Sequence, residues 1–96
     1  MIEELPEDAV KIGEGVWYTK IVDKNENWIG IVEWHLNSID NLCEGFVAFD
    51  VETDYIPAHA AKWTVESFDP LTISPSVLCT VCNHHGYIRD GRWVDC

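Results

Sequence analysis

Gly86-Tyr87-Ile88-Arg89-Asp90-Gly91-Arg92-Trp93-Val94 sets an Asp-Gly pair between two β-prone triplets. Asp-Gly accepts the positive φ angles of a two-residue type I′ turn, so the stretch predicts a tight antiparallel hairpin. Immediately upstream runs Cys79-Thr80-Val81-Cys82-Asn83-His84-His85, with two thiols three positions apart and an imidazole three positions after the second. One tight turn at that spacing aims both sulfurs at one point and leaves backbone N–H groups to stabilise the thiolates. The C-terminal third therefore reads as a metal knuckle leading into a hairpin.

Farther out, short apolar segments alternate with turn formers. Val16 to Val22 is rich in β-branched and aromatic residues and predicts a strand. The polar turn Asp23 to Asn27 leads into Trp28 to Leu36, where Trp28, Val32, Trp34 and Leu36 share one parity and Ile29, Ile31, Glu33 and His35 the other. Gly45 to Val51 predicts another strand, and Lys62 to Phe68 alternates with Trp63 and Val65 inward. Asp69-Pro70 and Ser74-Pro75 break the next stretch into short pieces, because proline removes a ladder donor and restricts the residue before it. Glu4 to Lys11 and Pro57 to Lys62 are each expected to make a helical turn or two. The fold class is mainly β: a small antiparallel β domain with a zinc knuckle before its C-terminal hairpin and little helix.

The chain has 96 residues, room for one core. No internal repeat or Gly/Ser linker divides it, so residues 1–96 are expected to form one zinc-stabilised domain, with an acidic segment at 1–15 and the metal-site region at 43–96. Seventeen acids against six bases give a net charge of -11. Residues 1–54 hold 13 of those acids and only three lysines, so the N-terminal half generates the field and would steer a basic partner surface. That balance opposes direct nucleic-acid binding, which depends on neutralising phosphates. The start Met1 to Asp8 lacks the basic and apolar regions of a signal peptide, and no apolar run reaches the roughly 18 residues of a membrane span. The expectation is a cytoplasmic protein with reduced cysteines.

A structural zinc ion needs four donors. Cys79, Cys82 and His85 supply three, and Cys43, in the segment Asn41-Leu42-Cys43-Glu44-Gly45 ahead of a strand, is read as the fourth. His84, His35, Cys96 and a water molecule are the alternatives for that position. A small core gains much from such a staple. A deaminase is disfavoured, because no H-x-E accompanies the cysteine pair. Ser74 and Ser76 flank Pro75 without a visible base and read as turn residues. His59, between two alanines, reads as a loop or helix-end residue, and His35 as a strand histidine. The five tryptophans read mostly as core.

Leu71-Thr-Ile-Ser-Pro-Ser-Val-Leu-Cys-Thr-Val-Cys-Asn-His-His-Gly-Tyr-Ile-Arg-Asp-Gly-Arg-Trp-Val94 resembles a small zinc-binding family of actinobacteriophage proteins. More distant relatives are encoded beside bacterial ubiquitin-like conjugation genes. The resemblance covers residues 63 to 94 closely. It implies metal-ligand roles for Cys79, Cys82 and His85, with Cys43 similar to an upstream cysteine of the phage members. It further implies a protein acting in the cytoplasm of a phage-infected bacterium. Three functions compete. The favoured one is a non-enzymatic accessory module that binds a host or phage protein through its acidic surface. The second is a zinc-dependent hydrolase linked to ubiquitin-like systems, with Glu44 or His84 carrying the proton. The third is an acidic DNA mimic.

Overall fold

The computed structural model describes residues 5–36, 42–79 and 83–95. Among them the chain forms β1 (Val10–Gly13), β2 (Val16–Val22), β3 (Trp28–Leu36), β4 (Leu42–Ala48), β5 (Thr64–Phe68), β6 (Leu71–Ser74), β7 (Val77–Leu78), β8 (His85–Arg89) and β9 (Arg92–Asp95). β1 to β4 make a four-stranded meander in sequence order, β5 and β6 a two-stranded ribbon, and β7 to β9 a three-stranded sheet, all antiparallel. The expected fold class is the observed one, and no helix occurs among the described residues. Accordingly, no helix there is long and apolar enough to cross a membrane.

The last hairpin has the turn its sequence demands. Asp90 and Gly91 both lie at positive φ, 52° and 73°, and Arg89 pairs with Arg92 across them. Gly86 serves a different purpose: a Cβ there would sit 2.5 Å from the Trp93 ring, so its missing side chain lets the indole lie across β8. The turn is tied down by Gly91 N–H donating to the Leu71 carbonyl at 2.8 Å and Asp90 N–H donating to Thr72 Oγ1 at 2.9 Å. The C-terminal hairpin is thereby fixed to β6.

Asp23 shapes the turn between β2 and β3, where its Oδ1 accepts from the N–H groups of Asn25 and Asn27 at 2.8 and 3.0 Å. Those bonds hold its carboxyl below the usual carboxylate range, with the Asn27 N–H the largest contribution. β3 then pairs with both neighbours along its length, and its Ile29, Ile31, Glu33 and His35 side is the buried one. Ile31 and Val47, opposite each other on β3 and β4, meet Leu71, Ile73, Val77 and Ile88 in one apolar core. Trp28, Trp63 and Trp93 pack against its margin, half-buried.

Two expectations are corrected. Pro6 to Ala9 forms a turn closed by Ala9 N–H to the Pro6 carbonyl at 3.1 Å, after which Val10 enters a strand. Pairing of Val10 and Lys11 with Tyr18 and Trp17 overrides the weak helical tendency of that segment. Pro57 to Lys62 forms no helix, only a non-helical turn closed by Ala60 N–H to the Pro57 carbonyl. Cys43, expected ahead of a strand, lies within one: β4 begins at Leu42, and Cys43 is a paired strand residue.

Candidate functional site

β3 and β4 are in register so that His35 stands directly opposite Cys43, which places both side chains on one face of the sheet. That face is the inner one. His35 is fully buried and Cys43 is 6% exposed. Cys79 arrives from another direction, immediately after β7, and is 4% exposed. Its N–H donates to the His84 carbonyl at 2.9 Å, and its own carbonyl accepts from Asn83 N–H at 2.8 Å. Asn83 takes the left-handed conformation, φ 62°, that closes this loop.

The ligand atoms of His35, Cys43 and Cys79 all lie within 4.8 Å of one another. Donors bound to zinc at about 2.0–2.3 Å in a tetrahedron sit less than about 4 Å apart, so a small adjustment closes this group around an ion. One imidazole and two thiols make a borderline-soft donor set suited to zinc rather than to calcium or magnesium. The group can hold a metal ion. Cys82, three residues after Cys79, lies outside the described residues, as do Cys96 and Glu3 and Glu4 of the acidic segment.

Glu33 lies two residues before His35 on the same buried face, and its Oε2 contacts His35 Nδ1 in a short hydrogen bond. Its other oxygen, Oε1, is buried and has no partner among the described residues. Burial pushes the Glu33 carboxyl up, against the opposing pull of the His35 hydrogen bond and charge. Beside it, between β4 and β7, opens a cavity of about 240 Å³ lined by Glu33, Gly45, Phe46, Trp63, Leu78 and Cys79. The cavity leads from the surface to a thiol and a carboxyl.

His84, immediately before β8, and His85, its first residue, face different neighbours. The His84 ring stacks edge-on against His35, with centroids 4.7 Å apart, and against Trp93 at 5.0 Å. Its Nε2 lies 3.0 Å from Asp95 Oδ1, the oxygen that also accepts from Trp93 Nε1 at 2.7 Å. These bonds, that from Trp93 foremost, hold the Asp95 carboxyl below its ordinary range. His84 thus buttresses His35 from behind.

His85 faces outward. Its Nε2 lies 2.6 Å from Ser76 Oγ, at an exposed site. The register explains the meeting: Leu78 pairs with His85, and Ser76, two residues before Leu78, is a diagonal neighbour on the same side. The Ser76 carbonyl accepts from Trp63 Nε1 at 3.2 Å, which anchors the serine backbone. The structure therefore gives Ser76 a base that sequence reasoning did not assign.

Of the four residues read as ligands, Cys43 and Cys79 come together, joined by His35; His85 lies beside Ser76, and Cys82 is outside the described residues. Glu44, offered as a proton carrier, is exposed on β4 and lines the cavity rim. His59 is exposed in the turn region after Pro57, away from any strand. The alternation of Glu33 and His35 with Trp34 is the signal for the buried pair, but a Glu-x-His on one strand parity reads equally well as a solvated face.

The model of a protein family described as bacterial ubiquitination-like system serine protease (BubE) matches residues 42–96, more than half of the chain. No curated protein and no solved structure matches.

Proposed function

We propose, since the chain belongs to the BubE family, that it is a serine-type protease of a bacterial ubiquitin-like system, with Ser76 as nucleophile and His85 as its base. The observation that carries this reading is the 2.6 Å approach of His85 Nε2 to Ser76 Oγ at an exposed position. A serine hydroxyl is a weak nucleophile until a base within hydrogen-bond reach takes its proton. Among the described residues no carboxylate lies within hydrogen-bond distance of His85, so the reading is a Ser–His dyad.

In the reaction, Ser76 Oγ attacks the carbonyl carbon of the scissile amide while His85 Nε2 takes the hydroxyl proton. Collapse of the tetrahedral intermediate breaks the C–N bond, and the leaving amine takes that proton from His85. Water, deprotonated by the same nitrogen, then cleaves the ester, releasing a carboxylic acid and restoring Ser76. We take the substrate to be an amide at the tail of a ubiquitin-like protein. The exposed acids of the N-terminal half, Glu14, Asp50 and Glu52 among them, favour a basic face on the protein it meets.

We assign the buried group to a structural zinc ion held by His35, Cys43 and Cys79, with Cys82 as the donor that the knuckle spacing supplies. Such an ion would fix the end of β7 and the start of β8, and hence the segments that carry Ser76 and His85. Thiolate ligands of this kind suit a reducing cytoplasm. A non-enzymatic module acting on a host or phage protein is the second reading, favoured by the charge asymmetry alone.

The test is cleavage of a short C-terminal extension from a bacterial ubiquitin-like protein. Wild type should release it, whereas Ser76→Ala and His85→Ala, each still folded, should not. Equal cleavage by wild type and Ser76→Ala would remove the assignment.

A further inference from the structure

Among the described residues Glu33 is the one buried acid, and the apolar core does not explain its place. It and His35 are each 0% exposed, inside a sheet whose neighbouring inward positions are Ile29, Ile31 and Val47. Burying two polar side chains costs stability even when they bond to each other, and apolar residues of similar volume often serve a core as well or better. Gly45, opposite Glu33 in the register, adds to the anomaly: a Cβ there would be 3.9 Å from Glu33 Oε1, so the carboxyl lies beneath a position with no side chain. The arrangement therefore needs a chemical reason. A neutral imidazole carries its proton on one nitrogen and its lone pair on the other, and the partner of the first decides which way the second is presented.

We infer that Glu33 is a positioning residue of the metal centre, its Oε2 accepting from His35 Nδ1–H so that His35 binds the ion through Nε2 beside Cys43 and Cys79. The inference rests on the metal assignment made above and goes beyond it by adding a residue that donates no ligand atom. β3 alternation supplies the geometry, because residues two apart on a strand stand side by side on one face. Edge-on packing of the His84 ring on His35 limits rotation from the other side. The cavity between β4 and β7 gives an ion a path to Cys79. Carboxylate partners of this kind raise ligand basicity and fix ring orientation, and their loss weakens metal binding by about 10- to 100-fold.

The experiment loads the metal-free chain with Co²⁺ and competes it against a chelator, for wild type, Glu33→Gln and Glu33→Asp. Glu33→Gln should bind Co²⁺ about 10- to 100-fold more weakly, with its visible d–d and thiolate charge-transfer bands shifted, and Glu33→Asp should recover part of the loss. A residue that merely fills space would leave those bands in place. Unchanged affinity and bands in a folded Glu33→Gln overturn the inference while leaving the metal site standing; failure of wild type to take up Co²⁺ overturns both. Should the variants not fold, ¹¹³Cd-loaded, ¹⁵N-labelled wild type decides. Coupling of cadmium to His35 Nε2, with a slowly exchanging proton on Nδ1, supports the inference. Coupling to Nδ1, or none to His35, contradicts it.

Discussion

Ser76 and Cys79 are three residues apart, yet one belongs to an exposed pair and the other to a buried group. The difference follows from strand alternation across β7. Val77 and Cys79 point into the core, while Ser76 and Leu78 share the opposite side with His85. The adjacent histidines part as well, His84 toward His35 and His85 toward Ser76. On the proposed reading a single short segment serves two chemistries, one buried and suited to an ion, the other exposed to a substrate. Buried thiolates and an imidazole suit a metal ion, and a hydroxyl beside an imidazole at the surface is a reachable nucleophile.

If the two sides are separable, variants on each should fail in different ways. The largest effect is expected from Ser76→Ala, which should lower turnover by about 10³-fold or more while leaving metal content and melting temperature unchanged. Steady-state cleavage and metal analysis on the same sample check this. On the buried side, Cys79→Ser or chelation should lower the melting temperature. At an ion concentration about 100 times its Kd the lost stabilisation is about 2.7 kcal/mol, equivalent to about 10–20 °C in a chain of this size. Scanning calorimetry with and without zinc measures it. Identical melting curves would mean that nothing in the buried group depends on metal.

The outer sheet offers a third contrast. Gly86→Ala forces a methyl into the Trp93 ring, 2.5 Å away, and should cost about 1–3 kcal/mol in urea unfolding. Gly91→Ala meets no comparable clash, its nearest neighbour being Pro70 Cβ at 3.4 Å, but its φ of 73° should still cost about 1–2 kcal/mol. The smallest effect concerns Asp95. Its carboxyl is held below the ordinary range in the folded chain, so the bonds from Trp93 and His84 stabilise the fold above the ordinary carboxylate range and are lost as pH falls through the lowered value. Asp95→Asn should therefore lower stability slightly above the ordinary carboxylate range and converge with wild type in acid, flattening the acid limb of the stability profile measured by urea unfolding.

The hairpins are legible in the sequence because their signals are local. Asp90-Gly91 fixes a turn by φ alone, and Val16 to Val22 advertises a strand by composition, so β2, β3, β8 and β9 all occur where the residues place them. Cys43 and Cys79 also carry their own signal. His35 and Ser76 do not. His35 acquires its place from the register that sets it opposite Cys43, and Ser76 acquires a base from the register between β7 and β8. Register is a property of paired strands, and a hydroxyl nine residues from an imidazole has no spacing that marks it. Cys43 reads as a ligand ahead of a strand but reaches the group from within one, because Leu42 extends β4 against Leu36.

The most direct measurement exposes the metal-loaded protein to a fluorophosphonate probe, which forms a covalent bond only with an activated serine, and tracks the product by intact mass and peptide mapping. The account predicts a single adduct on Ser76 that disappears in His85→Ala. A folded, metal-loaded protein left unlabelled at Ser76, or labelled there equally well without His85, would contradict it.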